Sequence, residues 1–210
     1  MDKEYIIKET IEWIICIISA IAIALVIKYF LITPTIVQQT SMYPTLIQDQ
    51  RLILNRITRI TKKVPERGQI VTFEAPSRSK NISNDNITAE YLKQPNGLIN
   101  KFCYYVLEIN KISYIKRVIG LPGEKVELKD GKVYINGNEL EEKYLKDGIT
   151  TSLQNENINS FTVPDGTIFV MGDNRPDSID SRTFGCIPIE KLEGIVAIRF
   201  WPFSKFGTVK

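Results

Sequence analysis

Lys125-Val126-Glu127-Leu128-Lys129-Asp130-Gly131-Lys132-Val133-Tyr134-Ile135-Asn136-Gly137 is the stretch that decides the fold class. Apolar and charged residues alternate strictly over 125–129, the pattern of a strand with one buried face. Asp130-Gly131 follows, then a second short run, then Asn136-Gly137. Both central residues of a type I′ turn need positive φ, which Asp-Gly and Asn-Gly accept, so the stretch predicts consecutive tight hairpins. Working outward, residues 51–55, 69–73, 167–171 and 194–200 are further short apolar runs bounded by glycine, proline or charge. The expected fold class is mainly β, with antiparallel strands.

The N-terminal part reads differently. Residues 13–32 are WIICIISAIAIALVIKYFLI, interrupted only by Lys28. About 20 apolar residues span a hydrocarbon core. Lys28 can snorkel to the headgroups, and Trp13 and Tyr29 suit the interfaces. A cleaved signal peptide and a buried core helix are the alternatives. The run exceeds the usual signal-peptide core of about 7–15 residues and meets no small-residue cleavage site. A retained transmembrane anchor is therefore expected over 13–32. Lys3 and Lys8 precede it, which leans towards a cytoplasmic N-terminal tail over 1–12.

The remainder, 33–210, is long enough for a substantial core. Two polar stretches, 77–88 and 143–160, read as surface loops. Between them Leu98, Phe102, Tyr105 and Ile109 recur at helical spacing and predict one amphipathic helix packed on the sheet. A net charge of +3 over 210 residues is too small and too dispersed for a nucleic-acid partner. Cys16, Cys103 and Cys186 form no CxxC pair, and a Cys103–Cys186 disulfide is left open by sequence separation. With no histidine and no cysteine cluster, neither a zinc site nor a cofactor is expected.

Where is the chemistry? Gln39-Thr40-Ser41-Met42-Tyr43-Pro44-Thr45-Leu46 lies about ten residues beyond the apolar segment. Ser41 is the candidate nucleophile. A serine hydroxyl needs an adjacent base, and the absence of histidine excludes a Ser-His-Asp triad. Lysine, a carboxylate or a terminal amine remain. Lys116 stands out because Ser113-Tyr114-Ile115-Lys116-Arg117-Val118-Ile119-Gly120 is an apolar, strand-like run. Alternation sets Tyr114, Lys116 and Val118 on one face and Ile115 and Arg117 on the other. If the first face is inward, burial lowers the lysine pKa and leaves neutral amine near pH 7. The alternative is an exposed Lys116 with Arg117 inward. A third stretch, residues 172–182, concentrates turn formers with opposite charges. Asp180 and Arg182 there read by themselves as an ordinary surface pair.

These three stretches, in this order behind an N-terminal anchor, resemble the bacterial type I signal peptidases. Ser41-Met42-Tyr43-Pro44-Thr45-Leu46 is similar to the family's nucleophile box, and residues 116–124 to its lysine box. Gly172-Asp173-Asn174 through Ser178, Asp180, Ser181 and Arg182 are similar to its third signature, and Arg67-Gly68-Gln69-Ile70-Val71 to a weaker family strand. The resemblance implies a membrane-anchored serine endopeptidase whose antiparallel β-rich catalytic domain, 33–210, lies outside the cytoplasm, with variable insertions near 77–112 and 143–160. Its partners would be the lipid bilayer and the signal peptides of exported preproteins. Ser41 would attack, Lys116 would serve as base, Ser178 would orient the Lys116 amine, and an Asp180–Arg182 salt bridge would shape the loop. The Ser41 backbone N–H would donate to the oxyanion. Gln39 stands where the family usually has serine or glycine, and is the candidate second donor. Pro176-Asp177 replaces the commoner Asp-Asn, read as loop variation. Cleavage would follow small residues at positions −1 and −3, with Val37, Met42, Leu46 and Ile115 as the pocket wall. Trp201, Phe203 and Phe206 are either core or an interfacial cluster. The rival readings are an inactive membrane-tethered binding module on the same scaffold and a self-cleaving repressor-type Ser-Lys peptidase.

Overall fold

A computed structural model of the chain describes residues 3–77, 82–83, 86–92, 94–155 and 158–209. It begins with helix α1, Lys3–Phe30, 28 residues with none buried. At about 1.5 Å per residue this helix is roughly 42 Å long, enough to cross a bilayer. Residues 13–27 carry no charge and none of them is buried, which is what lipid accommodates. The helix starts ten residues before Trp13, so most of the segment read as a tail continues the same rod. Glu4 in its first turn and Lys28 in its last both complement the helix dipole.

One residue separates α1 from strand β1, Ile32–Ile36. A seven-stranded antiparallel sheet runs in the order β1, β2 (Arg51–Asn55), β11 (Leu192–Trp201), β3 (Ile70–Glu74), β4 (Ser113–Gly120), β9 (Thr167–Met171) and β10 (Ile187–Pro188). β1 is an edge, and it carries Pro34, a residue that edges tolerate because it has no N–H to donate. β3 and β9 are buried at every position, covered on both faces. The second sheet has four strands, in the order β7 (Asn138–Glu139), β6 (Lys132–Ile135), β5 (Lys125–Lys129) and β8 (Ser160–Thr162).

The hairpin expectations hold in detail. Lys129 faces Lys132 across Asp130-Gly131, whose φ angles are 53° and 76°. Asn136-Gly137, at 52° and 81°, makes the next two-residue turn. The larger core lies between the sheets around Phe73, Val118, Phe161 and Phe169. A smaller core of Val37, Met42, Leu46, Leu52, Leu54, Ile70 and Val196 sits beneath the loop that carries Ser41.

Two expectations need correction. The predicted helix is α3, Leu98–Tyr105, shorter than the spacing implied, and it does not pack on the sheet through its apolar face. Leu98 is 88% exposed and Ile99 79%. The residues that do bury something, Cys103 to Val106, lead into Glu108, which pairs with Lys28 of α1 and with Arg56. The stretch 143–160 is not a plain surface loop either, since Thr151 and Ile158 are buried and Thr151 N–H donates to Gly131 C=O. The loop over 77–88 falls partly outside the described residues. Trp201, Phe203 and Phe206 are exposed and not core, and all three cysteines are free thiols.

Candidate active site

The loop after β1 is held from below and from one side. Met42 and Leu46 are fully buried in the smaller core, and Leu46 N–H closes a turn on Met42 C=O. From the side, Asn174 N–H donates to Ser41 C=O at 3.0 Å, and the Thr40 hydroxyl donates to Asp177 Oδ2 at 2.7 Å. The Ser41 backbone N–H donates to no group among the described residues.

Lys116 lies on β4, between β3 and the start of the β9 pairing. Its Nζ stands 2.7 Å from Ser41 Oγ and 3.0 Å from Ile115 C=O. Lys116 is 2% exposed and Ser41 6%. Burial pulls the lysine pKa from 10.5 down to about 8, against the opposing pull of Asp180 and Asp173. The choice between an inward Lys116 and an inward Arg117 dissolves, because both are buried on opposite faces of a central strand. Arg117 answers its burial with a bidentate pair to Asp173, at 2.9 and 2.7 Å.

Asp180 and Arg182 are not a surface pair. Both are fully buried and joined by two contacts of 2.8 Å. The Asp180 carboxylate also accepts from Gly172 N–H at 3.0 Å and caps the short helix α4, Ser181–Phe184, through Arg182 N–H. Gly172 is required by close approach. A Cβ there would collide with Ser178 Oγ and Ser41 C=O, and would lie 2.6 Å from Ser178 Cβ. Ser178 is thus buried beside the Ser41 carbonyl, but the expected hydrogen bond to Lys116 is not made. Its hydroxyl has no hydrogen-bond partner among the described residues.

Ser41 and Lys116 open into a cleft of about 380 Å³. One wall is β1 with Val37 and Gln39, and the other is residues 112–116. Three strands lie between β1 and β4 in the sheet order, so the sheet curls to bring them face to face across the cleft. Each offers a free edge there. β1 pairs only with β2, and β4 meets β9 only from Arg117 onward. Val37 and Ile115 line the cleft as expected, and Gln39 lines it with an exposed side chain. Met42 and Leu46 do not, being core residues underneath.

The family model described as signal peptidase, peptidase S26, matches residues 10–201. The chain belongs to the signal peptidase family. Signal peptidase IB of Staphylococcus aureus (strain Mu50) is 36% identical over 212 residues, covering 95% of this chain and 93% of that one. Signal peptidase I T of Bacillus subtilis (strain 168) is 34% identical over 207 residues, covering 95% and 90%. A solved signal peptidase I from Enterococcus faecalis V583 has 32% identity and a TM-score of 0.42, covering 64% of this chain and 97% of that one. The chain is a serine endopeptidase of the signal peptidase class.

Several contacts that support the loops around Ser41 and Lys116 escaped the sequence reading. Asp177, read as loop variation, ties residues 172–182 to Thr40. Arg175 is fully buried against Glu142 and Thr151, which draws the second polar excursion into the site's framework. The one signal for the Arg117–Asp173 pair was an arginine in an apolar strand, and sequence does not name its partner.

Proposed function

We propose that this peptidase cleaves signal peptides from exported preproteins through a Ser41–Lys116 dyad. The observation that carries the reading is the 2.7 Å approach of Nζ to Oγ inside a buried site that lowers the lysine pKa to about 8. About a tenth of Lys116 is then neutral at pH 7, against well under a thousandth for an unperturbed lysine. The neutral amine takes the Ser41 proton as Oγ attacks the scissile carbonyl. The ammonium returns that proton to the leaving amine, and an acyl-enzyme remains. Lys116 then deprotonates the water that releases the acyl group.

The Ser41 N–H, free of other partners, is the first oxyanion donor, and Gln39 is the candidate second. Ser178 carries the one unpaired hydroxyl next to Ser41. It is the group to which the amine turns once Oγ is committed to the acyl bond. Asp180 and Arg182 act by shape, holding Gly172 and so the close contact with Ser41. An extended substrate pairs with the free edges of β1 and β4, in the manner of strand addition. Val37 and Ile115 narrow the cleft near the dyad, which favours small side chains at positions −1 and −3.

In this reading α1 spans the bilayer from residue 13 to its end at Phe30, two residues short of the expected 13–32 because Ile32 already belongs to β1, with residues 1–12 cytoplasmic and the remainder working on the far side. The test is cleavage of a preprotein in detergent by the wild type, Ser41→Ala and Lys116→Ala. Both variants should stay folded and lose essentially all turnover. Full activity in either one would end the dyad proposal.

A further inference from the structure

The cleft does not stop at the dyad. It runs back along β1 from Val37 to Thr33, and the lining at that end includes Arg56, Glu108, Lys111 and Glu193. Arg56 is 2% exposed. Its Nη2 pairs with Glu108, yet Nε and Nη1 have no hydrogen-bond partner among the described residues. A guanidinium cannot shed its charge to relieve burial, so two unfilled donors are a standing cost. The neighbourhood has an excess of positive charge. Glu108 is shared between Arg56 and Lys28, and Glu193 is ion-paired with Lys111, although its Oε1 makes no hydrogen bond among the described residues. Arg59 lies close enough that, after burial, repulsion from Arg56 is the next cause lowering its own pKa. An added acceptor is therefore welcome at this end and an added cation is not.

The position along the substrate follows from chain direction, and here the inference rests on the peptidase reading. α1 ends at Phe30 and β1 begins at Ile32, so the Thr33 end of the cleft is the end nearest the bilayer. A signal peptide leaves the bilayer before its cleavage site, and so passes Arg56 before it reaches Ser41. Val37 and Thr33 are four residues apart, about 13 Å at the strand rise of roughly 3.3 Å. We propose that this end of the cleft is a polar subsite in which Arg56, through Nε and Nη1, receives a substrate side chain ending in a carbonyl or carboxylate about four to six residues before the cut.

Such a subsite gives the enzyme a second determinant besides the small residues flanking the cut. It distinguishes glutamine or glutamate from an aliphatic or basic residue at one position where the substrate emerges from lipid. Because the contact is made before and during attack alike, it should act on KM more than on kcat.

The test uses the full chain in detergent and a preprotein carrying glutamine, glutamate, leucine or lysine, in turn, at each position from three to seven before the cut. At one of these positions kcat/KM should be about tenfold higher for glutamine and glutamate than for leucine, and lowest for lysine. Arg56→Met should level that preference, and Arg56→Lys should retain part of it. The wild-type series decides the matter even if Arg56→Met folds poorly. Equal cleavage of all members by the wild type, or an undiminished preference in a folded Arg56→Met, overturns the subsite and leaves the dyad untouched. No cleavage of any member falls on the peptidase reading itself and takes the subsite with it.

Discussion

The pH dependence of turnover offers the sharpest test of how the lysine is prepared. Lys116 titrates near 8 because burial disfavours its ammonium, while Asp180 and Asp173 hold the value from falling further. If the neutral amine is the working form, kcat/KM should rise roughly tenfold from pH 7, where about a tenth of the amine is neutral, and level off above about pH 9. The same burial carries a stability signature whose sign is fixed by linkage. Below about 8 folded and unfolded chains both hold the proton, and the full cost of the buried charge is present. Between about 8 and 10.5 only the unfolded chain holds it, so stability rises with pH. At about 1.4 kcal/mol per pH unit the cost is about 3 kcal/mol at neutral pH. Lys116→Met, which is inactive but similar in volume, should therefore be more stable than wild type at pH 7 by up to about 3 kcal/mol. At pH 11 the gain should vanish. Initial rates across pH 6 to 10.5 and denaturant unfolding at the two extremes make the measurement. A rate that climbs log-linearly past pH 10, or Lys116→Met less stable at pH 7, would refute a buried, poised lysine.

Other outcomes follow from the contacts around it. Gly172→Ala should reduce kcat at least 10²-fold, because the new methyl must push Ser178 or the Ser41 carbonyl aside, and a misplacement of about 1 Å costs that much. Asp180→Ala should lower the unfolding free energy by about 3–5 kcal/mol, since it strands a fully buried Arg182, as thermal or denaturant melts will show. Gln39→Ala should lower kcat about 10²-fold if its amide serves the oxyanion, with an unchanged kcat removing it from the site. Reductant should leave the melting temperature and activity unchanged, since Cys103 and Cys186 are free.

What the sequence disclosed depended on how local the determining physics is. The hairpins at Asp130-Gly131 and Asn136-Gly137 were legible because turn chemistry and strand alternation are properties of neighbours in the chain. The closeness of Ser41 and Lys116 was legible through an inventory, no histidine and one lysine in an apolar strand-like run, joined to a resemblance in three ordered stretches. Which way β4 faced was not legible, because alternation tells two sides apart only when one of them meets water. Lys116 and Arg117 both lie inside, and their environments come from β3, β9 and residue Asp173, all distant in sequence. α3 misled for the opposite reason. Its spacing is helical and amphipathic, but the apolar face it advertises meets no sheet. Asp177 and Arg175 read as loop residues because their partners, Thr40 and Glu142, are 137 and 33 positions away.

The single-residue joint between α1 and β1 gives the molecule a ruler. β1 is the last strand before the loop that carries Ser41, so the height of Ser41 above the end of the helix is set by a short strand clamped in a sheet. Lys28 paired with Glu108, and the Tyr29 ring under Arg59, brace that joint from the protein side. With α1 in a bilayer, the cut falls at a fixed elevation, whatever the length of the hydrophobic stretch that precedes it. A preprotein whose polar spacer is too short to climb that far would be bound at the membrane and yet remain out of reach.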